Sequence, residues 1–549
     1  MKRRILWMLP AAAAAAALAA VGLANSGGSS FTSVPAQIKA AGYAPANVLS
    51  PELRQTMVAQ GSMRLDGAQD PFGWYGYINN APSPDNPALP QMVPATLTSP
   101  TEAQKTEPDK NTYLVLKNQA GADPGYDYGT HFLFQGHEVG ATINGVRQSL
   151  ITRINLDADI THRVTLLATK DSTGAPIQGI DGSTWDPWAR RLLFTTENTG
   201  APTYAATASY PSTVTDVSGA LGRGGFEGIQ NDSDGNIWIV EDIGGSNKGA
   251  TTAKQPNSYV YRYVPKHPGD LQNGKLQVLQ VWNAGHPVTF ESQAALMAPD
   301  QVALRTYGAS YDTKWVTIHD TAVDGNAPFV ANPLAKTAQG TPFKRPENGQ
   351  FRPGSKFTQF YFDETGDTNA TSPENGDPTT GAGGAGGWTS IFKLTQTSPS
   401  ANTGKLSLFY TGNESVAGLD NVTFLSHDLV TFVEDGGDTL HSQRKALDSG
   451  FVWDVTTDYS RGAQPVRWLG EGRDPSATLD SAFGGYGRNE GDNEVTGVHV
   501  SNGDPGQDGI LGARNPNLFE GGWRWFWTQQ HGDNFTWEVL PAAHGGGDR

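Results

Sequence analysis

Residues 225–245 read GFEGIQNDSDGNIWIVEDIGG: Glu227 follows a glycine pair, an Asp-Gly turn comes next, and the alternating strand NIWIVED ends in Glu241 and Asp242. Turns are polar by nature, so one strand pair with acids at both ends means little. Recurrence decides. IDGSTWDPWARRLLFTTEN sets Asp181 before a turn and strand and Glu197 after them. RPENGQFRPGSKFTQFYFDE does the same with Glu347 and Glu364, and LDNVTFLSHDLVTFVED with Asp420 and Glu434. The two acids lie fourteen to seventeen residues apart, with a glycine or asparagine beside the first acid each time. Four copies of acid, turn, strand, acid predict repeated antiparallel hairpins. A hairpin repeated along a chain is what a β-propeller supplies, with inner strand ends meeting around one funnel. Asp181, Glu227, Glu347 and Asp420 are therefore expected to point into that funnel.

The rest of the chain agrees with a mainly β fold. Hydrophobic residues make up 37% of the 549, while 66 glycines and 35 prolines interrupt the sequence too often for long helices. Alternating runs such as TYLVLKN, HFLFQGHE, SYVYRYV and LSLFYTG recur from Tyr113 onward, and 14 tryptophans and 22 phenylalanines supply large apolar groups for a core. Residues 25–110, rich in Pro, Ser and Thr, read as an irregular N-terminal wrapping segment with one short helix around residues 51–60. Residues 111–549 read as the propeller, interrupted by a glycine-rich flexible loop at 365–387.

The N-terminus begins MKRRILWMLP and continues through an alanine-rich apolar run to small residues at Ala24, the pattern of a signal peptide over residues 1–24. A run of about 20 apolar residues could also anchor the chain, but the alanine richness and small-residue exit favour cleavage. Export to the periplasm or outside the cell follows, by the Sec route or, through Arg3-Arg4, by the twin-arginine route. The formal net charge is −16, and cleavage removes only basic residues. Such a surface repels nucleic acid and anionic lipid.

A ring of carboxylates without counter-charges is costly, because like charges at close range cannot all ionise in a poorly solvated site. Cations resolve the conflict, and with no cysteine in the chain the donors are hard oxygens, suited to Ca²⁺, Mg²⁺, Mn²⁺ or ferric iron. Glu138, at the end of the HFLFQGHE strand, fits the same funnel, whereas the adjacent His137 reads as a structural hydrogen-bonder. No H-E-x-x-H or G-x-S-x-G sequence occurs, so zincin and serine-nucleophile chemistry are not indicated. Arg345 stands two residues before Glu347 in FKRPENGQF. It suits either bidentate capture of a phosphate oxyanion or an ion pair with Glu347.

FQGHE, DGSTWDPWARRLLFTTEN, FEGIQNDSDGNIWIVED, FKRPENGQF and DNEVTGVHVSNGDPG together, in this order over residues 113–510, resemble the PhoX-type alkaline phosphatases. These are secreted bacterial enzymes that use calcium and iron in an irregular six-bladed propeller. The resemblance implies a metal-dependent hydrolase of small phosphate monoesters. It also implies Glu138, Glu227, Glu347 and Glu434 as metal ligands and Arg345 as the phosphate contact. One departure concerns iron: the family's segment similar to DGSTWDPW carries an iron-ligating cysteine, and Asp181 stands there in this chain. Calcium is thus the expected cofactor, and the missing thiolate puts iron in question. A propeller lactonase or esterase, or a calcium-stabilised binding propeller without catalysis, are the alternatives.

Overall fold

The computed structural model describes residues 31–40, 43–79, 105–138, 140–143, 146–473 and 494–542. The expected signal peptide lies outside these residues. The architecture is mainly β and propeller-like. Antiparallel four-stranded units follow one another along the chain, among them Ser183–Asp186 through Val214–Asp216 and Phe226–Asn231 through Gly274–Asn283. The second of these is joined, through the long strand Tyr311–Asp320, to the unit Gly349–Phe351 through Thr403–Thr411, giving one sheet of ten strands.

The innermost strands of successive units are Thr112–Val115, Ser183–Asp186, Phe226–Asn231, Gly349–Phe351, Leu419–Phe424 and Glu494–Ser501, and each packs against the next around a closed ring. Both faces of these strands are covered, which is why FEGIQN and LDNVTF are buried at every residue despite their polar content. Aromatic residues fill the wedges between units. Trp238 sits 5.1, 5.0 and 4.9 Å from Trp315, Phe351 and Phe360, centroid to centroid, and Trp525 lies 4.4 Å from Trp468.

The N-terminal segment wraps by pairing, not as irregular chain. Leu53–Ala59, where a short helix was expected, is a strand that pairs antiparallel with Phe535–Pro541 and so ties the beginning of the fold to its end. Burial of Leu53, Val58 and Ala59 against that partner overrides local helix preference. Val48–Leu49 extends the sheet of Val466–Gly470, and Arg64–Gln69 runs parallel to Val164–Ala168.

The glycine-rich residues 365–387, expected as a flexible loop, fasten Asp367 and Glu374 into the interior while residues 376–379 stay exposed. Lys344 Nζ lies 2.7 Å from Asp367 Oδ1 and 2.5 Å from Glu374 Oε2, and Lys248 Nζ lies 3.0 Å from Glu374 Oε1, all four side chains being buried. Removing one partner from such a buried network leaves a charge unpaired, which pins the loop at residues 367 and 374.

Candidate metal centre

The first acid of each repeat opens an innermost strand, and the local backbone explains why it faces inward. The ladder slips between Phe226 and Ile229 and again between Leu419 and Val422, so that Glu227-Gly228 and Asp420-Asn421 occupy bulges. A bulge breaks strict alternation and re-aims a side chain. The small residue beside the acid lets neighbouring strands close up. A Cβ on Gly182 would sit 2.0 Å from the carbonyl oxygen of Glu227, and the Gly228 amide donates to the Glu347 carbonyl at 2.8 Å. Each copy thereby seats the next.

Four overlapping carboxylate groups result: Asp109, Asp181 and Glu227; Glu138, Asp181 and Glu197; Glu197, Asp242 and Glu347; Glu227, Glu347 and Asp420. Within each group one oxygen from every residue lies within 4.8 Å of the others. The structure thus brings together Glu138, Asp181, Glu227, Glu347 and Asp420. Glu434 stands outside these groups: its Oε1 accepts from Arg444 Nη1 and from the Ala417 amide, both at 2.9 Å.

Asp109, Glu197 and Asp242 are additions to the expected set. Asp109 and Glu138 flank a hairpin whose turn is long, so the spacing of the other four copies hides a fifth. Asp242 follows Glu241 at the end of its strand and is aimed the opposite way.

Electrostatics set the terms of the site. Burial, and then the charges of Glu197, Glu347 and Asp420, push the Glu227 carboxyl well above the ordinary carboxylate range, although a hydrogen bond with Asp181 opposes the shift. Burial and the charges of Glu227 and Asp109 raise Asp181, and burial and Asp109 raise Asp420. Burial and Asp242 raise Glu347, with Arg345 opposing. Ionising these acids together is therefore costly unless a counter-charge is present.

Asp181 Oδ1 and Glu227 Oε2 are buried with no hydrogen-bond partner. Orphaned carboxylate oxygens at close range are what a hard cation satisfies, so the residues fit a calcium-type site. A thiolate-ligated iron does not fit, since the chain has no cysteine. Lys110 is buried among the same charges, feeling Asp420, Asp109, Glu227 and Asp363, and donates to Asn421 Oδ1 at 2.7 Å.

Arg345 borders the centre. Its Nε lies 3.0 Å from both carboxylate oxygens of Asp242, and its Nη2 lies 2.8 Å from Asp242 Oδ2 and 3.1 Å from Glu347 Oε1. The side chain keeps a quarter of its surface exposed. Arg345 also occupies an unusual backbone slot. Arg345 adopts φ 57°, close to the 67° of Gly418, which stands two residues before Asp420 as Arg345 does before Glu347. A non-glycine residue in this left-handed region costs about 1–2 kcal/mol, and such strain persists where a side chain is needed in place.

No protein-family model matches this sequence, and no curated protein matches it. Among solved structures, the fold is similar to that of Pseudomonas fluorescens PhoX in complex with vanadate, a transition-state analogue. The likeness has a TM-score of 0.53 over 93% of this chain and 98% of that one, at 11% identity. The chain has a PhoX-like fold. The PhoX-like frame accounts for the carboxylate funnel as a place where inner strand ends converge. Among the described residues, no helix is long and apolar enough to cross a membrane.

Proposed function

We propose that this chain is an exported, metal-dependent phosphatase that hydrolyses small phosphate monoesters in its carboxylate funnel. The observation that carries the reading is the set of overlapping carboxylate groups with orphaned oxygens on Asp181 and Glu227, bordered by a strained, anchored arginine. Asp109, Glu138, Asp181, Glu197, Glu227, Glu347 and Asp420 would hold the cations, with calcium as the expected metal. Glu434, held by Arg444, is left out of that set. Cations held by these residues would polarise phosphoryl oxygens and offset the charge that develops in the transition state. Asp242 keeps the Arg345 guanidinium oriented, leaving its Nη1 edge for a phosphoryl oxygen. Bidentate pairing of this kind fixes direction as well as charge.

The vanadate bound by PhoX supports a phosphoryl-sized ligand in a fold of this kind. Counting the ten-stranded sheet as two units bridged by Tyr311–Asp320, the ring comprises six blades. Residues 1–24 direct export and are removed.

The test combines elemental analysis of the exported protein with assays on an aryl phosphate and on a simple lactone. Calcium together with aryl phosphatase activity supports the reading. Lactone hydrolysis alone, or bound calcium with neither activity, overturns it.

A further inference from the structure

Arg147 lies on the short hairpin formed by Ala141–Ile143 and Val146–Gln148, paired across it with Thr142. It is exposed and lines a cavity of about 350 Å³ together with Glu138, Gly179, Asp181, Glu197 and Asn198. Three of those neighbours form one of the carboxylate groups of the funnel. A guanidinium sharing a cavity with three acids would ordinarily pair with one of them, yet the Arg147 side chain makes no hydrogen bond or ion pair with any described residue. Once cations neutralise those acids, the guanidinium becomes the uncommitted positive group on this wall. Its planar fork of donors matches a carboxylate or a phosphate.

Arg345 is placed differently. Its Nε and Nη2 are engaged by Asp242 and Glu347. Those two acids form a carboxylate group with Glu197, which also belongs to the group that lines the Arg147 cavity. The two arginines therefore border adjoining carboxylate groups that share Glu197. A phosphoryl group on the Arg345 side would have its organic part in the cavity, within the domain of Arg147. At about 350 Å³, the cavity is near the small end of the roughly 300–1,000 Å³ typical of small-molecule sites.

We propose that Arg147 recognises a second anionic group on the substrate, so that the funnel selects small phosphate monoesters carrying a carboxylate or a second phosphate over esters of uncharged alcohols. This inference rests on the phosphatase reading of the same site. Arg147 would then set specificity, while the carboxylates and Arg345 serve the reacting phosphoryl group.

The test uses the calcium-loaded full chain with glycerol 3-phosphate, 3-phosphoglycerate and glycerol 1,3-bisphosphate as substrates. Arg147→Ala should lose about tenfold more in kcat/KM on the two esters carrying a second anionic group than on glycerol 3-phosphate, mainly through KM, with Arg147→Lys recovering part of the loss. The two anionic substrates separate a carboxylate preference from a phosphate preference. Calorimetry supplies a readout apart from turnover: 3-phosphonopropionate should bind the wild type about tenfold more tightly than propylphosphonate, and Arg147→Ala should erase the difference. Equal losses on all three esters, or no loss on any, would overturn the role of Arg147 while leaving the phosphatase reading intact. If the wild type hydrolyses an aryl phosphate but none of these esters, the substrate inference fails alone; if it hydrolyses neither, the phosphatase reading fails and the inference falls with it.

Discussion

The two ends of each repeated hairpin carry the same residue types and do opposite things. The first acids, Asp181, Glu227, Glu347 and Asp420, crowd together, and their burial raises every one of their carboxyls. Among the second acids, three have partners of their own. Glu241 accepts from the Tyr259 amide at 3.1 Å and from the Tyr261 hydroxyl and Asn332 at 3.0 Å; Glu364 accepts from Arg305 Nε at 3.1 Å; Glu434 accepts from Arg444 at 2.9 Å. Only Glu197 joins a carboxylate group. Acidity at a strand end is thus not the sign of a metal site. What separates the two sets is whether the neighbours are other carboxylates: Glu347 keeps Arg345 at 3.1 Å and yet crowds against Glu227 and Asp420, whereas Glu241, Glu364 and Glu434 join no such group among the described residues.

The sharpest way to break the contrast is to neutralise a first acid. Asp181→Asn with Glu227→Gln should remove bound calcium, read by elemental analysis, and lower phosphatase kcat/KM by about a thousandfold or more. The second set should answer otherwise. Glu434→Gln leaves the buried Arg444 with only the longer pairing to Asp448 at 3.8 Å, so denaturant unfolding should show a loss of up to about 3 kcal/mol while the metal content stays at the wild-type level.

Titration distinguishes the sets further. Burial raises the Glu241 carboxyl to about 8, from 4.5 when free, despite hydrogen bonds from Asn332, Tyr261 and Tyr259. The folded state then holds a proton that the unfolded chain has released, so the stability contribution is full below the unfolded value of 4.5 and is lost as pH rises toward about 8. Thermal melts should show Glu241→Gln matching the wild type near pH 4 and exceeding it at pH 9, by an amount equivalent to about 5 kcal/mol. The first acids are shifted in the same direction, so calcium-free protein should also lose stability with rising pH. Added calcium should reverse that part and leave the Glu241 part untouched.

The smallest effect concerns Arg345. Arg345→Gly relieves the left-handed backbone strain, which offsets the lost ion pairs with Asp242 and Glu347, so stability should change by no more than about 1 kcal/mol. The same variant should lose about tenfold to a hundredfold in kcat/KM at unchanged metal content. Wild-type kcat/KM in the variant would mark Arg345 as a structural ion-pair partner and nothing more.

The sequence by itself determined the repeated hairpin, the first acid and the small residue beside it, because turn chemistry and period-two alternation act within some twenty residues, whereas the close strand approach that the small residue permits joins different hairpins. It placed Asp181, Glu227, Glu347 and Asp420 alike. It could not separate Glu241 from Asp242, since neighbouring strand residues point to opposite faces and the pattern alone leaves open which face meets the funnel. Nor could it reveal that Glu364 and Glu434 are taken by Arg305 and Arg444. The Asp109 copy stayed hidden behind a long turn, and only closure of the ring set it beside Asp181 and Glu227. Arg345 shows both levels at once. Its nearness to Glu347 is written in the chain, but its clamp on Asp242, 103 residues away, exists only because two hairpins from different parts of the chain converge on one funnel.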